Sequence, residues 1–153
     1  MSAKSSHDTA SRTQHRTPER NGESIGACTS FQQAVSEYLI RHRSILDVIS
    51  KFQEAGARVN RAVVKAVTTC GCVEVQAGRQ QLPADITYWE MKQHMATHVK
   101  GEMCEHCREV LEQEIGQNMF YLTAICDLFK IELETLLENE RKRITALGVF
   151  NLT

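Results

Sequence analysis

The stretch Leu111-Glu112-Gln113-Glu114-Ile115-Gly116-Gln117-Asn118-Met119-Phe120-Tyr121-Leu122-Thr123-Ala124-Ile125-Cys126-Asp127-Leu128-Phe129 decides the fold class. Leu111, Ile115, Met119, Leu122, Ile125 and Phe129 recur every three or four residues, the spacing of one helix face. From Met119 to Phe129 apolar residues also appear on nearly every other side, which predicts a helix in the middle of a bundle. Lys130-Ile131 is a short turn, and Leu133, Leu136, Leu137, Ile144 and Leu147 continue as a second helix. So short a link predicts an antiparallel hairpin of the two.

Upstream, Ile45, Val48, Ile49, Phe52, Val59, Val63 and Val67 carry the same period. Ser44 is a candidate N-cap, and Gly56 inside the run suits a close helix crossing or a bend. Whether Phe31 to Arg43 is a separate helix stays open on periodicity alone. Cys70 to Arg79 breaks the pattern: Val73 and Val75 alternate with Glu74 and Gln76, as in a short strand, and Gly78 ends it. Asp85 then stands where it would cap a short helix with Tyr88, Met91, Met95 and Val99 on one face, closed by Lys100-Gly101. Arg41 to Lys65 is mainly basic and Glu102 to Glu114 mainly acidic, so the two stretches suit each other as packing partners. The architecture expected is an all-α helical bundle with a short inserted, cysteine-flanked arm.

The whole chain has 153 residues, 42% of them apolar and 24% charged, which fits one globular domain. A formal net charge of −1 argues against a generic polyanion binder, so no nucleic-acid partner is expected. No apolar run approaches the ~18 residues of a membrane span and no hydrophobic signal core opens the chain, so a cytoplasmic protein with no membrane partner is expected. Residues 1–27 are rich in Ser, Thr, Arg and His and read as a disordered tail. Residues 28–153 form the helical domain, with the insert at 70–107.

Six cysteines occur, at 28, 70, 72, 104, 107 and 126. Cys70-Gly71-Cys72 and Cys104-Glu105-His106-Cys107 are two tight pairs, and thiolates one or two residues apart can turn toward one ion. One pair lies where the long helix ends and the other where the acidic helix begins. Antiparallel packing makes those ends neighbours, so Cys70, Cys72, Cys104 and Cys107 can close a four-sulfur tetrahedron. Structural zinc is the leading reading; an iron–sulfur cluster, dithiol redox chemistry and unliganded thiols are the alternatives. Disulfide staples are disfavoured because nothing indicates an oxidising compartment. Cys126 reads as a small core residue and Cys28 is uninformative. His94 and His98, one turn apart, read as an exposed polar pair sooner than as ligands, and His106 sits inside the second knuckle.

Glu114-Ile115-Gly116-Gln117-Asn118-Met119-Phe120-Tyr121-Leu122, followed by Phe129-Lys130-Ile131-Glu132-Leu133 and Leu136-Leu137-Glu138, resembles the MazG-like nucleotide pyrophosphohydrolases. That all-α family carries E-[LI]-G-D-V-L-W-Y-L, a short turn and a final helix. Gln53-Glu54-Ala55-Gly56-Ala57-Arg58-Val59-Asn60-Arg61-Ala62 resembles its E-E-x-G-E-x-x-E-A segment. The likeness covers roughly residues 45–67 and 109–146.

The resemblance implies a site in which carboxylates of two packed helices hold Mg²⁺, which binds a triphosphate and activates water. Here the first Glu is Gln53, the second Glu54 and the third Ala57. On the other helix Glu114 is kept, while the Asp is Gln117. A further acidic position is Asn60, and the family's Asn and Lys on the closing helix correspond to Glu140 and Arg143. Glu54 and Glu114 are the residual catalytic candidates, with Arg58, Arg61 and Lys65 adding positive charge nearby. The bland alternative for the two carboxylates is an ion pair with Arg58 or Arg61. The expected function is therefore a zinc-binding, MazG-like protein with a depleted hydrolase site, serving nucleotide binding, regulation or interaction. The alternative is an active Mg²⁺-dependent nucleoside-triphosphate pyrophosphohydrolase. A zinc-dependent nucleic-acid regulator and a dithiol oxidoreductase are minor options. Such domains usually complete their bundles by pairing, so the resemblance also implies a homodimer.

Overall fold

A computed structural model describes residues 26–148. The tail expected over 1–27 lies almost entirely outside the described residues. In chain order the elements are α1 (Ala27–Tyr38), α2 (Ile45–Lys65), a π-helical turn (Ala66–Cys70), β1 (Val73–Val75), α3 (Tyr88–His94), β2 (Val99–Gly101), α4 (Glu105–Leu128) and α5 (Leu133–Leu147). The class is mostly helical, with a single two-stranded ribbon among the described residues.

α1 and α2 are separate helices. Ser44 holds the N-cap position in an extended conformation, and its carbonyl accepts the backbone N–H groups of Asp47 and Val48 at 3.0 and 2.9 Å. Its hydroxyl makes no capping bond. Asp47 in the first turn instead supplies the negative charge that a helix N-terminus favours.

The dominant packing is α2 against α4. They run antiparallel, since Asn118 reaches Phe52, Arg58 reaches Glu114 and Cys70 reaches Cys104. The buried line on α2 is Val48, Ala55 and Ala62, continued by Ala66 in the π-helical turn. Sequence reading favoured the large aliphatics of this helix, yet Ile49 and Val63 remain 41% and 42% exposed. The small residues sit at heptad spacing and let the backbones approach, which leaves several larger neighbours outside the seam. The buried residues of α4 are Thr123, Ala124 and Cys126, near the end that packs on Val48 at the start of α2. One core cluster joins Val35 and Leu39, Val48, and Ala124, with Phe31, Phe120, Ile125 and Leu128 packed around them.

Two expectations about the last third are corrected. α4 is not enclosed by this chain's own helices: Met119 and Leu122 are 48% and 44% exposed. Nor do α4 and α5 fold back as a hairpin; α5 leans on α1. The reason lies in the turn. Lys130 takes a left-handed φ of 58°, and the side-chain amide of Gln32 then captures the outgoing chain. Its Nε2 donates to the Ile131 carbonyl and its Oε1 accepts the Leu133 N–H, both at 2.8 Å. Thr29 donates to Glu134 and ties the start of α5 to α1.

The arm forms as an antiparallel ribbon in which Val73, Glu74 and Val75 pair with Gly101, Lys100 and Val99. Its inner helix is capped by Thr87, not by Asp85: Thr87 and Glu90 form a reciprocal capping box. Met95 is already extended and Val99 belongs to β2, so the apolar series expected on one helix face divides between two elements. Gln80 braces the loop, donating to the Ala96 carbonyl and accepting the Ala96 N–H at 2.9 Å each. No helix among the described residues is long and apolar enough to cross a membrane.

Candidate functional site

The four paired cysteines meet at one end of the α2–α4 pair. α2 runs on through the π-helical turn to Cys70, Gly71 reverses the chain at a φ of 70°, and Cys72 follows directly before β1. Cys104 holds the N-cap position of α4, and Cys107 stands in its first turn. The ribbon between them fixes the approach. Gly101, paired with Val73, has a φ of 79°, and a β-carbon there would stand 2.9 Å from the Cys72 carbonyl oxygen.

The Sγ atoms of Cys70, Cys72, Cys104 and Cys107 all lie within 4.8 Å of one another. Cys70 and Cys104 are 3.7 Å apart, sulfur to sulfur. A tetrahedral ion with metal–sulfur bonds of ~2.3 Å requires edges of about 3.8 Å, so the four sulfurs can close on a thiophilic ion with edge changes of no more than about 1 Å. Proton affinities in the cluster are split in opposite directions. Hydrogen bonds from the Cys107 backbone N–H, then from its thiol, bring Cys104 down to about 7. Cys107, holding its proton toward Cys104, is pushed up to about 12, and Cys70 is raised chiefly by its hydrogen bond to Cys104. Sulfurs this close cannot all ionise unless a cation offsets their charge. The four cysteines could therefore hold a metal ion.

The other candidate ligands stand apart from this cluster. His106 is exposed on α4. His94 ends α3, while His98 sits in the arm at a φ of 60°, its ring against the Gln76 carbonyl and the Gln80 amide. They do not share a helix face as expected. Cys126 is a buried core residue, 4% exposed, and burial raises its thiol. Cys28 is half-buried on α1.

Farther along the same helix pair, the structure brings Glu54 and Glu114 to one side chain. Arg58 donates from Nε to Glu114 at 2.9 Å and from Nη1 to Glu54 at 2.6 Å. Lys51 donates to the other oxygen of Glu54 at 2.8 Å. Lys51, then Arg58, holds the Glu54 carboxyl below its ordinary range, and the hydrogen bond to Glu114 raises Arg58. Gln53, Ala57, Asn60, Arg61 and Lys65 are exposed and take no part. Gln117 lines a cavity of about 330 Å³ with Tyr38, Arg41, His42, Phe120 and Tyr121. Its wall is ordered by edge-to-face contacts of Tyr121 with Phe120 and with His42, and His42 Nδ1 lies 2.5 Å from Asp47. Glu140 and Arg143 pair with each other at 3.0 Å on α5, beside a wider hollow of about 770 Å³.

Sequence reasoning missed Lys51, His42 and Tyr121 in this groove. The signal was available: Tyr121 lies two turns beyond Glu114, and Lys51 two turns before Arg58, on the same helix faces. No protein-family model, curated protein or solved structure matches this chain.

Proposed function

We propose that this chain is a zinc-clamped, MazG-like helical protein that binds a nucleotide in the α2–α4 groove without hydrolysing it in the usual Mg²⁺-dependent way. The observation that carries this reading is Arg58, which holds both remaining carboxylates, Glu54 and Glu114, in one ion network. A Mg²⁺ centre needs hard oxygen ligands free to face the ion. Here the two candidates are engaged by a guanidinium, and the positions corresponding to the family's other acids are Gln53, Ala57, Asn60 and Gln117.

Zinc is the ion we assign to Cys70, Cys72, Cys104 and Cys107. Four sulfur donors on two knuckles suit it, and a reducing, cytoplasmic setting keeps all four as thiols ready to bind. Once bound, zinc contributes folding energy by joining the end of α2, the arm and the start of α4. A homodimer is part of the same reading: Ile49, Ile115, Met119 and Leu122, more than two-fifths exposed, are apolar side chains that a second copy would cover.

Metal analysis tests the clamp. One zinc per chain, lost in a Cys104→Ser/Cys107→Ser double variant, is expected, and folded protein purified without metal contradicts it. A panel of canonical and modified nucleotides tests the groove. Nucleotide-dependent thermal stabilisation without pyrophosphate release is expected. Turnover with Mg²⁺ that disappears in Glu114→Gln supports an active pyrophosphohydrolase instead.

A further inference from the structure

Arg58 is more than an absent ligand's replacement on one helix. Its guanidinium bridges two helices, with Nε on Glu114 of α4 and Nη1 on Glu54 of α2, while Lys51 stands behind Glu54. Glu54 and Glu114 bring two negative charges, and Lys51 and Arg58 two positive ones. The four sum to zero without any metal. An acidic groove waiting for Mg²⁺ would repel a phosphate until the ion arrived; this one does not. A guanidinium also has five N–H donors, and the two carboxylates use one on Nε and one on Nη1. The Arg58 side chain is 33% exposed, so an anion entering from the groove can reach it. Tyr121, which lines the neighbouring 330 Å³ cavity, is close enough to act electrostatically on both Lys51 and Arg58. The cavity opens on the same helix pair, since Gln117, Phe120 and Tyr121 of its lining continue α4 beyond Glu114.

We infer that Arg58, clamped between Glu54 and Glu114 and backed by Lys51, occupies the divalent cation's role in the α2–α4 groove, so that the protein takes phosphate-bearing ligands free of Mg²⁺. The inference rests on the nucleotide-binding reading above and adds the ionic form of the ligand and the residue that selects it. A divalent ion would have to displace Arg58 from both carboxylates before gaining any oxygen of its own. A phosphate displaces nothing, because planar guanidinium and phosphate oxygens match without rearrangement.

The test uses full-length, zinc-loaded protein and inorganic tripolyphosphate as the probe, in resin-treated buffer with and without added Mg²⁺. Calorimetric titration of the wild type is expected to give binding without metal and a weaker apparent affinity with added Mg²⁺, which competes for the tripolyphosphate. Arg58→Ala is expected to weaken metal-free binding about tenfold or more, the scale of one charge-assisted hydrogen bond. The same variant is expected to acquire Mn²⁺ binding, read by electron paramagnetic resonance, that adding Glu114→Gln removes. Should Arg58→Ala fail to fold, Arg58→Lys keeps the charge and loses the fork, and is expected to weaken metal-free binding without acquiring Mn²⁺. Tripolyphosphate that binds the wild type only with Mg²⁺ overturns the inference and leaves the nucleotide reading standing. Unchanged metal-free binding in Arg58→Ala or Arg58→Lys also overturns it. No binding to the wild type in either buffer removes the nucleotide reading along with it.

Discussion

Replacing Gly101 with alanine should loosen the thiol cluster from the arm side. Gly101 adopts a φ of 79°, and its new β-carbon would lie 2.9 Å from the Cys72 carbonyl oxygen and 3.8 Å from the Val73 Cα. Neither contact is with a flexible side-chain tip, so the ribbon must spread or Cys72 must move. An L-residue held at positive φ with such a contact carries about 2 kcal/mol of strain. Metal-free protein can relax this strain by letting the ribbon open, whereas bound protein cannot, so it should appear as about thirtyfold weaker metal binding. Gly71→Ala is the internal control. Its φ is 70°, but nothing lies within 4 Å of the added methyl. It should cost about 1 kcal/mol from the dihedral alone, near a fivefold loss. Competition against a chromophoric zinc chelator measures both variants on one scale, and circular dichroism confirms that each is folded. If Gly101→Ala binds zinc as well as Gly71→Ala does, the ribbon does not position Cys72 and this reasoning fails.

Other perturbations test separate parts of the molecule. Gly56→Ala should stabilise the fold by about 0.5–1 kcal/mol in urea denaturation, because a methyl there meets Asn118 Nδ2 at an ordinary 3.5 Å while α2 sheds a helix-weakening glycine; a loss would mean the crossing is too tight to admit it. Thr87→Ala removes half of the capping box on α3 and should cost about 1 kcal/mol locally, seen as faster amide exchange over Tyr88–His94 with α2 and α4 unchanged. The Glu138 carboxyl, hydrogen-bonded by Arg141, sits at about 2 in the folded chain against an ordinary 4.5. Its contribution is therefore complete above pH 4.5 and is lost as the pH falls through 2, so Glu138→Gln should flatten that part of the acid-stability profile. The difference should shrink in high salt, since the pair is exposed, and an unaltered acid limb in the variant would count against it.

The cysteine cluster was legible because its information is local. Two short spacings and a change of period told where each pair sat, and antiparallel packing of α2 and α4 did the rest. Glu54 and Glu114 were also legible as a facing pair, and so was Arg58 as their neighbour. What escaped was longer in reach. The α2–α4 seam runs through Ala55 and Ala62, which a search for large aliphatics passes over, since close backbone approach favours small side chains. The course of α5 depends on Gln32, about a hundred positions away in the chain, and no local rule links a glutamine on α1 to a turn after α4. In the arm, Thr87 outcompeted Asp85 because Glu90 completes a reciprocal pair with it. The apolar residues from Tyr88 to Val99 have helical spacing, but Gln80 and the ribbon impose an extended path from Met95 onward.

The carboxamide of Gln32 satisfies the backbone at Ile131 and at Leu133 together, as a neighbouring strand would. One side chain thereby acts as the bearing on which the final fifteen-residue helix is mounted. α5 thus takes its placement from α1 as well as from the turn after α4, and because Val35 of α1 and its C-cap Leu39 share the core with Val48 and Ala124, a shift of α1 would reach α5 and the α2–α4 packing together.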